Sequence, residues 1–202
     1  MSAITKIRPP TDRRLARSAA TRTAVVEAML GLIEAGDLRP TAPRIAARAG
    51  VSLRSVFQHF ADLDALFAAA ADRQTARFTP LLRALPVSGS LAQRVAAAAA
   101  QRAAVYEAVM PVRRAALLME PFSSEIASRL NGFRGLMRRE LARVFAAELA
   151  ACNAAERREL LAALASAGGF SAWFALRRHQ GLGVVASRRV LARTFGALLG
   201  VR

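Results

Sequence analysis

The sequence predicts an all-α protein, with an N-terminal helix-turn-helix unit of three helices ahead of a larger helical domain. Three observations carry that reading. Ala, Leu, Arg, Glu and Lys make up 111 of the 202 residues, and these side chains lose little freedom on entering a helix. Apolar residues recur at spacings of three and four along most of the chain, the period of one helical face. The stretch TAPRIAARAGVSLRSVFQHF, residues 41–60, reads as two short helices broken by a glycine.

Composition sets the outer bounds. An apolar share of 54% with 12 Gly and 8 Pro is that of a folded chain with a sizeable core. The single cysteine, Cys152, excludes an intramolecular disulfide and a Cys-rich zinc site. The net charge of +16 points to a polyanionic partner, or to arginine-rich coding with no partner behind it. The first 18 residues are polar and basic, without the apolar stretch of a secretory signal. The longest uncharged run, residues 160–176, contains Ser166, Gly168, Gly169 and Ser171 and sits at the lower limit for a spanning helix. The expectation is a buried helix, no membrane and a cytoplasmic protein.

Residues 1–18 read as a flexible basic arm, with Lys6, Arg8, Arg13, Arg14 and Arg17 against Asp12 and no stable structure before Ser18. A helix is expected from Thr21, with Val25, Met29, Leu30, Leu32 and Ile33 on one face and Gly36 at its end. Thr41 opens a two-turn helix that Gly50 closes, and Ser52 starts a second short one. Asp62 or Asp64 begins a longer helix that Pro80 ends or bends. LRALPVSGS, residues 82–90, has the composition of a linker, so one domain is placed at 19–85 and the other at 86–202. Helical segments follow at 90–109, 112–119, 122–150, 154–180 and 184–200, punctuated by Pro111, Pro121, Asn153, Gly181 and Gly183.

Residues 41–60 carry the chemistry. Two short helices crossing steeply need a small residue where they meet, Ala46, and a turn residue that tolerates positive φ, Gly50. Ile45, Val51, Val56 and Phe60 are placed to pin the pair to a third helix, and Ser52 is a ready N-cap. The exposed side of the second helix carries Leu53, Arg54, Ser55 and Gln58, with Phe57 and His59 beside them. Arg matches the edge of guanine bidentately and Gln that of adenine. Residues 1–60 hold ten Lys and Arg against four Asp and Glu, which suits docking on phosphates. The competing reading is a plain helical hairpin with a solvated charged face.

Residues 21–67 resemble the N-terminal domain of the TetR family of bacterial transcriptional regulators. The matching pieces are TRTAVVEAMLGLIEAG, IAARAGVS, SVFQHF and the acidic opening before Leu66 and Phe67. FSAWFALRRHQGLGVVASRRVLARTFGALL is similar, more loosely, to the last two helices of many members. The resemblance implies a homodimer on a double-stranded DNA operator of two half-sites, with a C-terminal dimerisation and ligand-binding domain. It also implies that Thr41 touches phosphate and that Ser52, Leu53, Arg54 and Ser55 face bases. Phe57 stands where members most often have Tyr, which removes one phosphate hydrogen bond. His59 matches a frequent phosphate contact. Leu63 stands where many members carry Lys. Pro43 replaces an Arg or polar residue, and Arg44 beside it compensates.

The second domain has no HExxH, Walker-type or Gly-x-Gly-x-x-Gly pattern, so neither catalytic nor metal-binding residues are assigned, and no cofactor. Apolar faces at 160–176 and 184–200 exceed what one chain covers, so Leu164, Trp173, Leu176, Leu191, Phe195 and Leu198 are assigned to a four-helix dimer interface. Arg102, Tyr106, Glu107, Met110, Met119, Asn131, Phe133, Met137 and Trp173 are candidates for an apolar pocket with few polar anchors. A hydrophobic effector is expected, and the excess of arginine favours an anionic or neutral one over a cation. The expected function is repression relieved by that ligand. The alternatives are a regulator that activates or needs no ligand, and a helical enzyme or scaffold whose charge is coding bias.

Overall fold

Twelve helical segments and no strand make up the secondary structure of residues 10–200, the part of the chain that the computed structural model describes. Helix α1 spans Pro10–Glu34, α2 Ala42–Ala49, α3 Leu53–His59 and α4 Leu63–Phe78. Helix α5 spans Leu91–Met119, α6 Ser124–Val144, α7 Ala146–Ala150 and α8 Ala154–Ala167. Helix α9 spans Phe170–Phe174 and passes into a π turn at Ala175–His179, and α10 spans Val184–Leu198. A short 3-10 turn at Thr79–Leu81 follows α4.

Local chemistry explains the boundaries. Asp62 accepts from the Ala65 amide at 2.7 Å and Ser52 from the Ser55 amide at 3.1 Å. Ser90 with Gln93, and Asn153 with Glu156, form reciprocal capping boxes at the starts of α5 and α8. The ends of α1 and α2 share one device. Gly36 and Gly50 sit at positive φ, +100° and +67°. Around them the Asp37 amide donates to the Leu32 carbonyl and the Val51 amide to that of Ala46. Each pair of turns satisfies carbonyls the helix would otherwise leave open.

Four expectations about helix extent are corrected. The segment 10–17 is not a loose arm: α1 starts at Pro10, ahead of Asp12 in its first turn. Pro is suited to the first helical position, and the Arg and Ala that follow propagate a helix. The rest of that arm, residues 1–9, lies outside the described residues. Pro111 does not divide α5, which runs through it. Val109 and Met110 before the proline and Val112 and Ala115 after it are all buried, and that packing outweighs one lost backbone hydrogen bond. In addition the Gln74 amide reaches across from α4 to the Ala108 carbonyl at 2.9 Å. The expected segments 122–150 and 154–180 are each broken, at Phe145 and at Gly168–Gly169.

The molecule has two cores, and α5 belongs to both. The first joins α1, α2, α3 and α4 to Val112, Ala115 and Ala116 of α5 and Ile126 and Leu130 of α6. The second joins Phe78 and Leu85 to the N-terminal half of α5, the end of α6, and α8, α9 and α10. The linker-like segment is tied down: Arg143 donates to the Leu85 carbonyl at 3.0 Å and Gln101 to that of Arg83 at 2.5 Å. The run Ala154–His179 is long and apolar enough to cross a membrane by length and composition, while Leu164, Phe170 and Trp173 within it are buried in the second core.

Candidate nucleic-acid interface and effector cavity

Helix α3 is set on the surface by what surrounds it. Val56 and Phe60 are buried against α1, α2 and α4, as are Ile45 and Ala46 of α2. The Arg22 guanidinium of α1 lies over the Phe60 ring at 4.8 Å. With that side fixed, Leu53, Arg54, Phe57 and Gln58 project from the other side as an exposed row. Leu53 and Phe57 stand 44% and 48% exposed on it. Arg54 and Gln58 have no intramolecular hydrogen bond or ion pair among the described residues, so their donors are available. Ser55 and His59 flank the row at intermediate exposure, and Ser52 is exposed while capping the helix.

Helix α2 stands beside it with Thr41 at its N-cap. The Thr41 side chain is exposed and makes no cap hydrogen bond, so its hydroxyl is available beside the positive end of the helix dipole. Arg44 is exposed but paired with Asp37 at 2.7 Å. Sequence reading missed Arg39 and Arg48, both exposed on the same small unit. Arg39 stacks on the ring of Phe122 at 5.9 Å, from the turn between α5 and α6. Only the net charge of the N-terminal segment hinted at them.

The pocket candidates separate. Arg102, Tyr106, Phe133 and Met137 line one cavity of about 500 Å³ between α5, α6 and the α8–α9 break. The other five lie elsewhere. Glu107 and Trp173 form a clasp, the indole donating to Glu107 at 2.8 Å and Arg177 doing the same from the π turn. Burial pushes the Glu107 pKa up, but the hydrogen bonds from Arg177 and Trp173 outweigh it and the net shift is down. Met110 is core. Asn131 is exposed and accepts from Arg134 at 2.9 Å. Met119 lines a separate hollow of about 360 Å³ with Met29, Phe67 and Phe122.

The cavity also departs from the expected few polar anchors, since Arg113, Arg134 and Arg138 join Arg102 in its wall. Arg113 was missed because breaking α5 at Pro111 hid its register. Residues 102, 106, 113 and 117 fall on one face of an unbroken helix. Arg113 lies against the rings of Phe133 and Phe170, at 4.9 and 5.8 Å. Burial, with the nearby Arg134 charge, lowers its pKa to about 10. Burial raises the Tyr106 pKa, while the charges of Arg102 and Arg113 pull against it.

Of the six residues assigned to a dimer interface, Leu164, Trp173, Leu191 and Phe195 are at most 3% exposed within one chain. They are this chain's own core and offer a partner nothing to touch. Leu176 is half-buried and Leu198 is exposed. Among the described residues no group of His, Cys, Asp and Glu is placed to hold a metal.

No protein-family model matches the chain, and no curated protein does. A solved structure does: a transcriptional regulator from Rhodococcus sp. Rha1, 20% identical, with a TM-score of 0.66. The match covers 91% of this chain and 96% of that one. The likeness spans both cores, and what it shows is the fold.

Proposed function

We propose that the chain is a TetR-like transcriptional regulator, a cytoplasmic homodimer that reads a double-stranded operator with α3 of each subunit. The observation that carries this is the outward row of α3. Base-matching Arg54 and Gln58 are unengaged there, on a helix held rigidly from behind by Val56 and Phe60. The exposed Thr41 hydroxyl at the N-cap of α2 suits a phosphate. The fold shared with a transcriptional regulator supports the same reading.

Repression relieved by a small molecule completes it. Phe133 lines the cavity and meets Phe78, the last residue of α4, edge-on at 5.6 Å. Helix α4 carries Leu66 and Phe67 into the first core, beneath α3. A ligand that displaces Phe133 therefore has a short route to the DNA-reading unit. It releases DNA only by binding the DNA-incompetent arrangement more tightly than the other.

The test is selection of duplexes from a random pool, followed by titration of the purified chain at several salt concentrations. The expected result is a preferred sequence with two similar half-sites, bound with a steep salt dependence. Binding of all duplexes alike, or of none, overturns the reading.

A further inference from the structure

The charges around the cavity do not balance. Arg102 is 1% exposed, its Nη2 donates to the Met137 carbonyl at 2.6 Å, and its Nε and Nη1 are buried without a partner. Its nearest carboxylate, Glu140, stands 3.8 Å off, outside hydrogen-bond distance, with an oxygen that is itself unpartnered. Arg134 is held by a two-pronged bond to Glu120, at 2.5 and 2.8 Å. Arg113 has no carboxylate and no hydrogen bond among the described residues, and its Nε is buried. Arg138 is exposed to water.

Buried donors of this strength are costly when left unmet. Arg102 and Arg113 lie about 16 Å apart along the axis of α5, yet both charges act on the Tyr106 phenol between them. Both side chains line one space, whose remaining wall includes Leu117, Phe133, Met137 and Phe170.

We propose that the cavity takes an organic monocarboxylate, its carboxylate met by Arg113 and its apolar body lying along the rings of Phe133 and Phe170. Arg102 has Glu140 and Arg134 has Glu120, so the half-buried charge of Arg113 remains to be matched, and a single negative charge matches it. A planar carboxylate accepts from a guanidinium through two parallel bonds. A neutral apolar compound leaves these donors unmet. The proposal rests on the cavity being the effector site.

The test uses the full chain and matched pairs: decanoic acid with decanamide, and 2-naphthoic acid with 2-naphthamide. Calorimetry at fixed pH and salt gives the dissociation constants. At least one acid is expected to bind roughly tenfold or more tighter than its amide. Arg113→Gln is expected to remove that advantage while leaving the amide unchanged, and Arg113→Lys to keep part of it. Equal binding of acid and amide, no acid binding at millimolar concentration, or an acid indifferent to Arg113→Gln overturns the proposal. If Arg113→Gln does not fold, the wild-type comparison and Arg113→Lys still decide. Duplex binding without ligand is measured in parallel. If the duplex binds and the acids fail, the effector class is wrong and the regulator reading stands. If the acids bind through Arg113 and no duplex does, the anion site stands and the regulator reading falls.

Discussion

Arg54 leaves the first turn of α3 with no partner of its own, so its loss exposes no buried group and cannot disturb the fold. Arg54→Ala is expected to cost about 1–3 kcal/mol at the preferred duplex and to relax the preference at one base pair. Thr41→Ala is expected to weaken every duplex by the same factor. A panel of single-base operator variants, titrated at one salt concentration, separates the two patterns. An unchanged panel for Arg54→Ala would place base contact elsewhere on the row. Glu107 gives a prediction in pH. Its folded pKa is below the ordinary value, so its bonds to Trp173 and Arg177 stabilise the fold above the unfolded pKa. That stability is lost as pH falls through the folded value. Thermal melts from pH 7 to pH 3 should show the chain losing stability at the acid end. Glu107→Gln should start lower and lose less over that range, and parallel curves for the two would argue against the clasp.

At the scale of elements, α2 and α3 were legible because their determinants are local. Ala46, Gly50, Ser52 and the apolar pins lie within 20 residues and act through backbone geometry and caps. The extent of α5 was not legible, because the packing that carries it across Pro111 comes from helices distant in sequence. The same distance hid Arg113, whose place beside Arg102 and Tyr106 depends on α5 being continuous. The dimer assignment went astray differently. Periodicity marks which residues are apolar, not which of two neighbours buries them, and Leu164, Trp173, Leu191 and Phe195 proved to face inward. The outward stripe on α10 holds Ala186, Val190 and Ala197, with Arg193 among them. Val190→Glu is expected to convert a dimer to a monomer at micromolar concentration with little change in folding, since Val190 is 39% exposed in one chain. Sedimentation with circular dichroism checks both halves of that statement. A dimer of undiminished strength would move the interface off this stripe.

Across the whole molecule, the cavity and the outward row of α3 are joined by few steps. Met137 is 6% exposed in the cavity wall, so Met137→Trp should fill part of the space that a ligand needs. The expected outcome is operator affinity close to wild type with the ligand response lost, read by titrating duplex in the presence of a bound acid. A normal response in that variant would show that ligand and Met137 do not share a space. Helix α4 is tethered from three sides during any such change. Arg73 and Arg77 pair with Glu27 and Glu34 of α1, Asp72 pairs with Arg129 of α6, and Gln74 bonds α5.

The double membership of α5 bears on how such a chain can be cut and recombined. The unit of α1 to α4 completes its interior with Val112, Ala115, Ala116, Ile126 and Leu130, all downstream of the segment that looks like a seam. A piece ending near residue 90 would carry its reading helix but present an open apolar wound where α5 and α6 had been. Chimeras that exchange reading heads at that seam must therefore bring matching sides of α5 and α6 with them, or reshape both at once. The outward row of α3 and the cavity lie on separate surfaces, yet they share one inheritance in α5 and cannot be traded as loose parts.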